Sequence, residues 1–423
     1  MNVYSQEVEI IHDFVTNAQG IRIPITIYKC NSPGTSLADP IFAVPGTTAV
    51  MWTFQKLKRA ACNSKSRYAF SMNTTGHGSG EMMAVDPEDA RRGVTDGQLT
   101  STGHRKYGMH TIGQDDLSAA VPYISEKYLK GGKVQLVGHS LGARTIVVWG
   151  GGIEKLPNGE FRANPELARL RNQYVSAYIP MGMWDPAYAP KRMKAAAIAA
   201  LPLLEKEELW GLRLVSEQSA TEIVRSNRPL TKSELIMREF LGQLGAQLFP
   251  KSIADFRGMR GVAVIEFGEK GAGTRLHPDI IKDFIEMFAY ADESSEVLHE
   301  ALKVLAQQGK PIMFISSTGD GVTPGAHAQH LADVITSENP NTTAKVVLLK
   351  GRGHLNLYID DDLIEPLARV LEEFARDPEG FDIHKAFEGI ELVDPASEPL
   401  RARSQTAMAR LIKCYLRMKR RGK

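Results

Sequence analysis

The stretch that most restricts this 423-residue chain is KVQLVGHSLGARTIVVWGGG, residues 133–152. An apolar run of strand composition passes into a helical pattern through the five residues Gly138-His139-Ser140-Leu141-Gly142. Glycine on both sides of the serine lets a strand turn abruptly into a helix. The serine hydroxyl is then left on the elbow, backed by the unpaired backbone N–H groups of the helix start. A continuous apolar strand feeding directly into a helix belongs to a parallel sheet covered on both faces.

The surrounding pattern agrees with that architecture. VEIIHDFVT (8–16) and IRIPITIYKC (21–30), joined by Asn17-Ala18-Gln19-Gly20, predict an antiparallel hairpin, and Pro24 places the second run near an edge. Short buried strands are expected at 40–46, 67–73, 174–182, 311–317 and 344–351, with helices near 52–61, 115–130, 326–336 and 361–375. From 183 to 310 the alternation stops and the periodicity is helical, VAVIEF (262–267) excepted. The expected organisation is therefore an α/β core in two parts, 1–182 and 311–380, a helical insertion at 183–310, and a C-terminal extension at 381–423.

Charge and composition exclude several classes. With 43% hydrophobic and 24% charged residues the chain is an ordinary globular protein, and 51 Lys and Arg against 49 Asp and Glu argue against a nucleic-acid partner held by bulk charge. Residues 399–423 carry nine Lys and Arg and no acidic residue, so the rest of the chain is net acidic. In that tail Met408, Leu411, Ile412, Tyr415 and Leu416 follow helical spacing, which predicts a basic amphipathic helix. It is suited to docking on the acidic body, on another subunit or on an anionic membrane surface. Cys30, Cys62 and Cys414 fit neither a disulfide framework nor a zinc site, and the N-terminus has no apolar leader. Reduced thiols and a cytoplasmic location are the expectation.

A serine hydroxyl needs a base to take its proton, and the base needs an acid to fix its tautomer. Asp320, in Thr318-Gly319-Asp320-Gly321, follows the strand at 311–317, and His354, in Gly351-Arg352-Gly353-His354, follows the strand at 344–351. Asp185, after the strand at 174–182, is the alternative acid. His327, His330 and His384 fall on helices or beyond the core and do not compete with His354. No paired metal-ligand spacing, Walker motif or dinucleotide fingerprint is present, so neither metal nor cofactor is expected.

These residues, in the chain order Ser, Asp, His, resemble the α/β-hydrolase superfamily over roughly residues 8–182 and 311–376. The resemblance implies Ser140 as nucleophile, Asp320 as acid and His354 as general base, with the backbone N–H groups of Thr47 and Leu141 forming an oxyanion hole. Pro45-Gly46-Thr47-Thr48 departs from the family's His-Gly pattern. Asn73-Thr74-Thr75-Gly76-His77-Gly78-Ser79 resembles a structural turn of the family, which leaves His77 without a catalytic role. The insertion is expected to cover the site, with Trp52, Met181 and Trp184 lining a pocket for a lipophilic or bulky acyl group. The implied activity is hydrolysis of a carboxylic ester or related acyl compound. An acyltransferase or thioesterase, a C–C hydrolase and a non-catalytic binding module remain as alternatives.

Overall fold

The computed structural model describes residues 8–30, 39–46, 51–63, 68–78, 84, 112–156 and 160–189, a few positions between 191 and 199, 251, 275–276 and 278–397. An eight-stranded sheet organises them: β1 (Val8–Thr16), β2 (Arg22–Cys30), β3 (Ile41–Val44), β4 (Tyr68–Met72), β5 (Val134–His139), β6 (Val175–Met181), β7 (Ile312–Ser317) and β8 (Ala344–Leu349). Their spatial order is β1-β2-β4-β3-β5-β6-β7-β8. β2 is antiparallel to both of its neighbours, and every pairing from β4 onward is parallel. β3, β5, β6, β7 and β8 consequently all end at one edge of the sheet.

The helices are α1 (Gln55–Asn63), α2 (Leu117–Leu129), α3 (Leu141–Gly150), α4 (Pro165–Asn172), α5 (Pro278–Ala289), α6 (Ala291–Gln307), α7 (Ala326–Glu338) and α8 (Asp361–Glu373). Two apolar cores separate by face. Leu117 and Val121 of α2, Ile146 of α3, Leu302 of α6 and Leu331 of α7 pack with Phe42, Leu136 and Phe314 on one side. Phe54, Leu57 of α1 and Leu367 of α8 pack with Val137, Ile179 and Ile315 on the other. Adjacent residues of one strand enter opposite cores, as the two-residue period of a strand requires, which is why these strands read as unbroken apolar runs.

One expectation holds and two change. Pro24 lies near the edge, in the second strand from it. The β4 ladder begins one residue later, at Ile25 opposite Met72, so the missing proline N–H removes no bond from it. Helix α6, expected within the insertion, buries Leu298, Ala301, Leu302 and Leu305 in the main core, so the core resumes near residue 291 rather than 311. Finally, Cys30 and Cys62 form a disulfide, with Cα atoms 5.1 Å apart, joining the end of β2 to the last turn of α1. Reduced thiols are therefore not found at these two positions; Cys414 lies outside the described residues.

The crosslink closes a loop of sequence separation 32, and restricting an unfolded loop of that length contributes about 3–4 kcal/mol. Cys30→Ser should lower the urea midpoint accordingly, with a slope no smaller than that of the crosslinked protein because the freed unfolded chain is less compact. Equal midpoints with and without reductant would show that the bond contributes nothing.

The turn resembling a family marker is held by buried polar groups. The Asp116 carboxylate accepts from Asn17 Nδ2 at 2.7 Å and from the Thr75 N–H at 2.6 Å, and Asn73 Oδ1 accepts the Met51 N–H at 2.8 Å. Burial lowers His77 to about 4, so it stays neutral near pH 7. Among the described residues no helix is long and apolar enough to cross a membrane. VAVIEF, most of the expected insertion and the basic tail lie outside those residues.

Candidate active site

Ser140 sits between the end of β5 and the start of α3 with φ 54° and ψ −118°, a conformation that side chains rarely adopt. Its N–H donates to the Met181 carbonyl at 2.9 Å, and its own carbonyl accepts from the Ala143 N–H at 3.0 Å. The flanking glycines are required by space. A Cβ at Gly138 would lie 2.4 Å from the Gly142 carbonyl oxygen, and one at Gly142 would lie 2.1 Å from that of Val44. The elbow is thus pressed against the end of β3, and a Cβ at Gly46 would meet the Ser140 Cβ at 2.9 Å.

Two strands further along the edge, the turn after β7 presents Asp320 and the turn after β8 presents His354. His354 Nδ1 is 2.7 Å from Asp320 Oδ2, and a carboxylate can only accept there, so Nδ1 carries the proton and Nε2 is left as the acceptor. Asp320 Oδ1 accepts from the Val322 and Thr323 N–H groups at 2.7 and 2.8 Å, and Oδ2 also accepts from Thr323 Oγ1 at 2.5 Å. Both side chains are nearly fully buried. Gly182, at φ 58° after β6, lets the backbone run beside the imidazole, since a Cβ there would lie 3.1 Å from His354 Cε1.

One contributor was overlooked in the sequence although it lies inside the motif. The His139 ring packs 4.4 Å from that of His354, and its Nε2–H donates to the His354 carbonyl at 3.0 Å. Burial, with the nearby His354 secondary, holds His139 well below the usual histidine range. A neutral imidazole at the end of the serine strand therefore fixes the backbone of the histidine loop. The variable position of Gly-x-Ser-x-Gly offers no signal for this.

Asp185, the alternative acid, is engaged elsewhere. Its Oδ1 accepts from Ser295 Oγ at 2.5 Å and from the Ala187 N–H at 3.0 Å, while Oδ2 meets His299 Nε2 at 2.7 Å. Leu141 opens α3, where the first N–H groups have no intrahelical acceptor. Thr47 and the Trp52 side chain lie outside the described residues. Met181 packs its side chain in the core and gives the site its carbonyl. Trp184 is nearly buried, with its ring 4.5 Å from that of Phe288 on α5.

No family model matches the chain, and no curated protein matches it. Among solved structures, the thioesterase domain from the curacin biosynthetic pathway is 15% identical, covering 86% of this chain and 99% of its own, with a TM-score of 0.47. A soluble variant of monoglyceride lipase from Saccharomyces cerevisiae is 12% identical over 89% and 97%, with a TM-score of 0.47. A haloalkane dehalogenase loop variant from Bradyrhizobium elkanii is 15% identical over 87% and 96%, with a TM-score of 0.46. The fold itself follows from the sheet. With its second strand reversed, its third and fourth exchanged in space, and its sharp serine turn after the fifth, this chain has the α/β-hydrolase fold.

Proposed function

We propose that the protein is a serine hydrolase acting on a carboxylic ester or a related acyl compound. The observation that carries this reading is the 2.7 Å Asp320–His354 pair, at the same sheet edge as a serine held in the elbow conformation. With its Nδ1–H donating a hydrogen bond to Asp320, His354 offers Nε2 to take the proton of Ser140 Oγ as that oxygen attacks the acyl carbon. The Leu141 N–H, joined by that of Thr47 as the family resemblance implies, receives the oxyanion. His354 then returns the proton to the departing alkoxide, and water releases the acyl group by the same steps.

The insertion expected after β6 would serve as a cover that excludes water, and the Trp184–Phe288 ring contact favours an apolar acyl chain. A thioesterase or acyltransferase would use the same acyl-enzyme and differ only in the acceptor. The Cys30–Cys62 bond speaks for an oxidising compartment rather than the cytoplasm.

A fluorophosphonate probe tests the reading directly. Peptide mass spectrometry should find the adduct on Ser140 and lose it in Ser140→Ala. A folded wild-type protein that takes no label, or labels at another serine, would refute it.

A further inference from the structure

A second cluster of polar groups lies beside the site and plays no part in the proposed chemistry. Asp185 follows β6, His299 lies on α6 and His330 on α7. One carboxylate oxygen and two imidazole nitrogens come together from these three elements, all within 4.8 Å of one another. Asp185 Oδ2 is the common point, 2.7 Å from His299 Nε2 and 3.3 Å from His330 Nε2.

The groups around the cluster orient it. Ser295 Oγ and the Ala187 N–H both donate to Oδ1, which turns Oδ2 toward the two imidazoles. This is the outer-shell support that metal-binding carboxylates receive. The Asp185 N–H meets His327 Nδ1 at 3.2 Å, and the Tyr188 ring packs 5.0 Å from that of His330. Arg144, half-buried on α3 and donating to the Ser294 carbonyl at 2.7 Å, interacts electrostatically with the Asp185 carboxylate.

The His330 nitrogen is the informative one. Nε2 is buried yet makes no hydrogen bond among the described residues, although it faces an anionic oxygen. Leaving such an atom unsatisfied is costly, and a cation bound between the three ligands would satisfy it. Tetrahedral zinc at ordinary bond lengths separates its ligands by about 3.3–3.5 Å. The Asp185–His330 spacing already has that value, and the Asp185–His299 hydrogen bond needs to lengthen by about 0.6 Å.

We propose that Asp185, His299 and His330 form a zinc site with two imidazole ligands, one carboxylate ligand and a fourth position open to water. The His299 and His330 side chains are 27% and 25% exposed, which gives the ion a way in from solvent. Bound there, the ion ties the segment leaving β6 to α6 and α7, which lie on the far side of the intervening residues in sequence. None of its three ligands is a group used in the proposed acyl transfer.

The test uses the full chain, stripped with a chelator and titrated with Zn2+ against a chromophoric competitor. One zinc per chain is expected, with His299→Gln and His330→Gln each weakening binding at least tenfold. X-ray absorption of the zinc-loaded wild type needs no variant and should return only nitrogen and oxygen neighbours, with imidazole scattering. Failure to bind zinc stoichiometrically, a sulfur ligand indicating Cys414, or unchanged affinity in both variants would each overturn the site. The outcome is independent of fluorophosphonate labelling at Ser140.

Discussion

Ser140→Ala is expected to reduce turnover of an acyl ester on the order of a millionfold while leaving the fold intact. The elbow is made by backbone: the Ser140 N–H bond to Met181 and the close approach of Gly142 to Val44 do not involve the hydroxyl. What is lost is the atom that bonds to the acyl carbon in the proposed mechanism. The Leu141 N–H and the binding surface remain, so a residual rate above that of water is expected. Stopped assays at high enzyme concentration would measure both values. A loss of less than about a hundredfold would place the nucleophile elsewhere.

Asp320→Asn should cost about ten-thousandfold in turnover, for a reason visible in the hydrogen bonds. Oδ1 accepts two backbone N–H groups, from Val322 and Thr323, so an asparagine must place its carbonyl oxygen there. Its amide NH2 then faces His354 Nδ1, where the carboxylate oxygen stood. A donor at that place forces Nδ1 to accept and puts the ring proton on Nε2, the atom that has to take the proton from Ser140. The histidine stays in position in the wrong tautomer. Thermal unfolding should change little compared with turnover, and a larger loss of turnover from Asp185→Asn than from Asp320→Asn would transfer the role of acid to Asp185.

Much of this arrangement was legible in the sequence because it rests on local patterns. Apolar runs located the eight strands, and the position of Asp320 and His354 just past two of them put both at the same sheet edge as Ser140. What was not legible depends on contacts between distant segments. Cys30 and Cys62 are an ordinary pair of isolated cysteines until β2 and α1 are packed side by side. His299 and Asp185 are 114 residues apart, with no spacing motif to connect them. Helix α6 has the amphipathic pattern of any surface helix, and only the packed structure tells that its apolar stripe faces the main core. His139 occupies the variable position between Gly138 and Ser140, and its role is played through the carbonyl of His354, which no local pattern reveals.

The backbone at Ser140 also carries a thermodynamic consequence. A side chain held at φ 54° and ψ −118° costs on the order of 1–3 kcal/mol, and glycine would be free of most of that cost. The most favourable residue for folding at position 140 is therefore one that cannot perform the proposed reaction. Any search that ranks variants of this chain by heat resistance alone will be drawn to glycine there, and the hardiest molecules it returns will be inert.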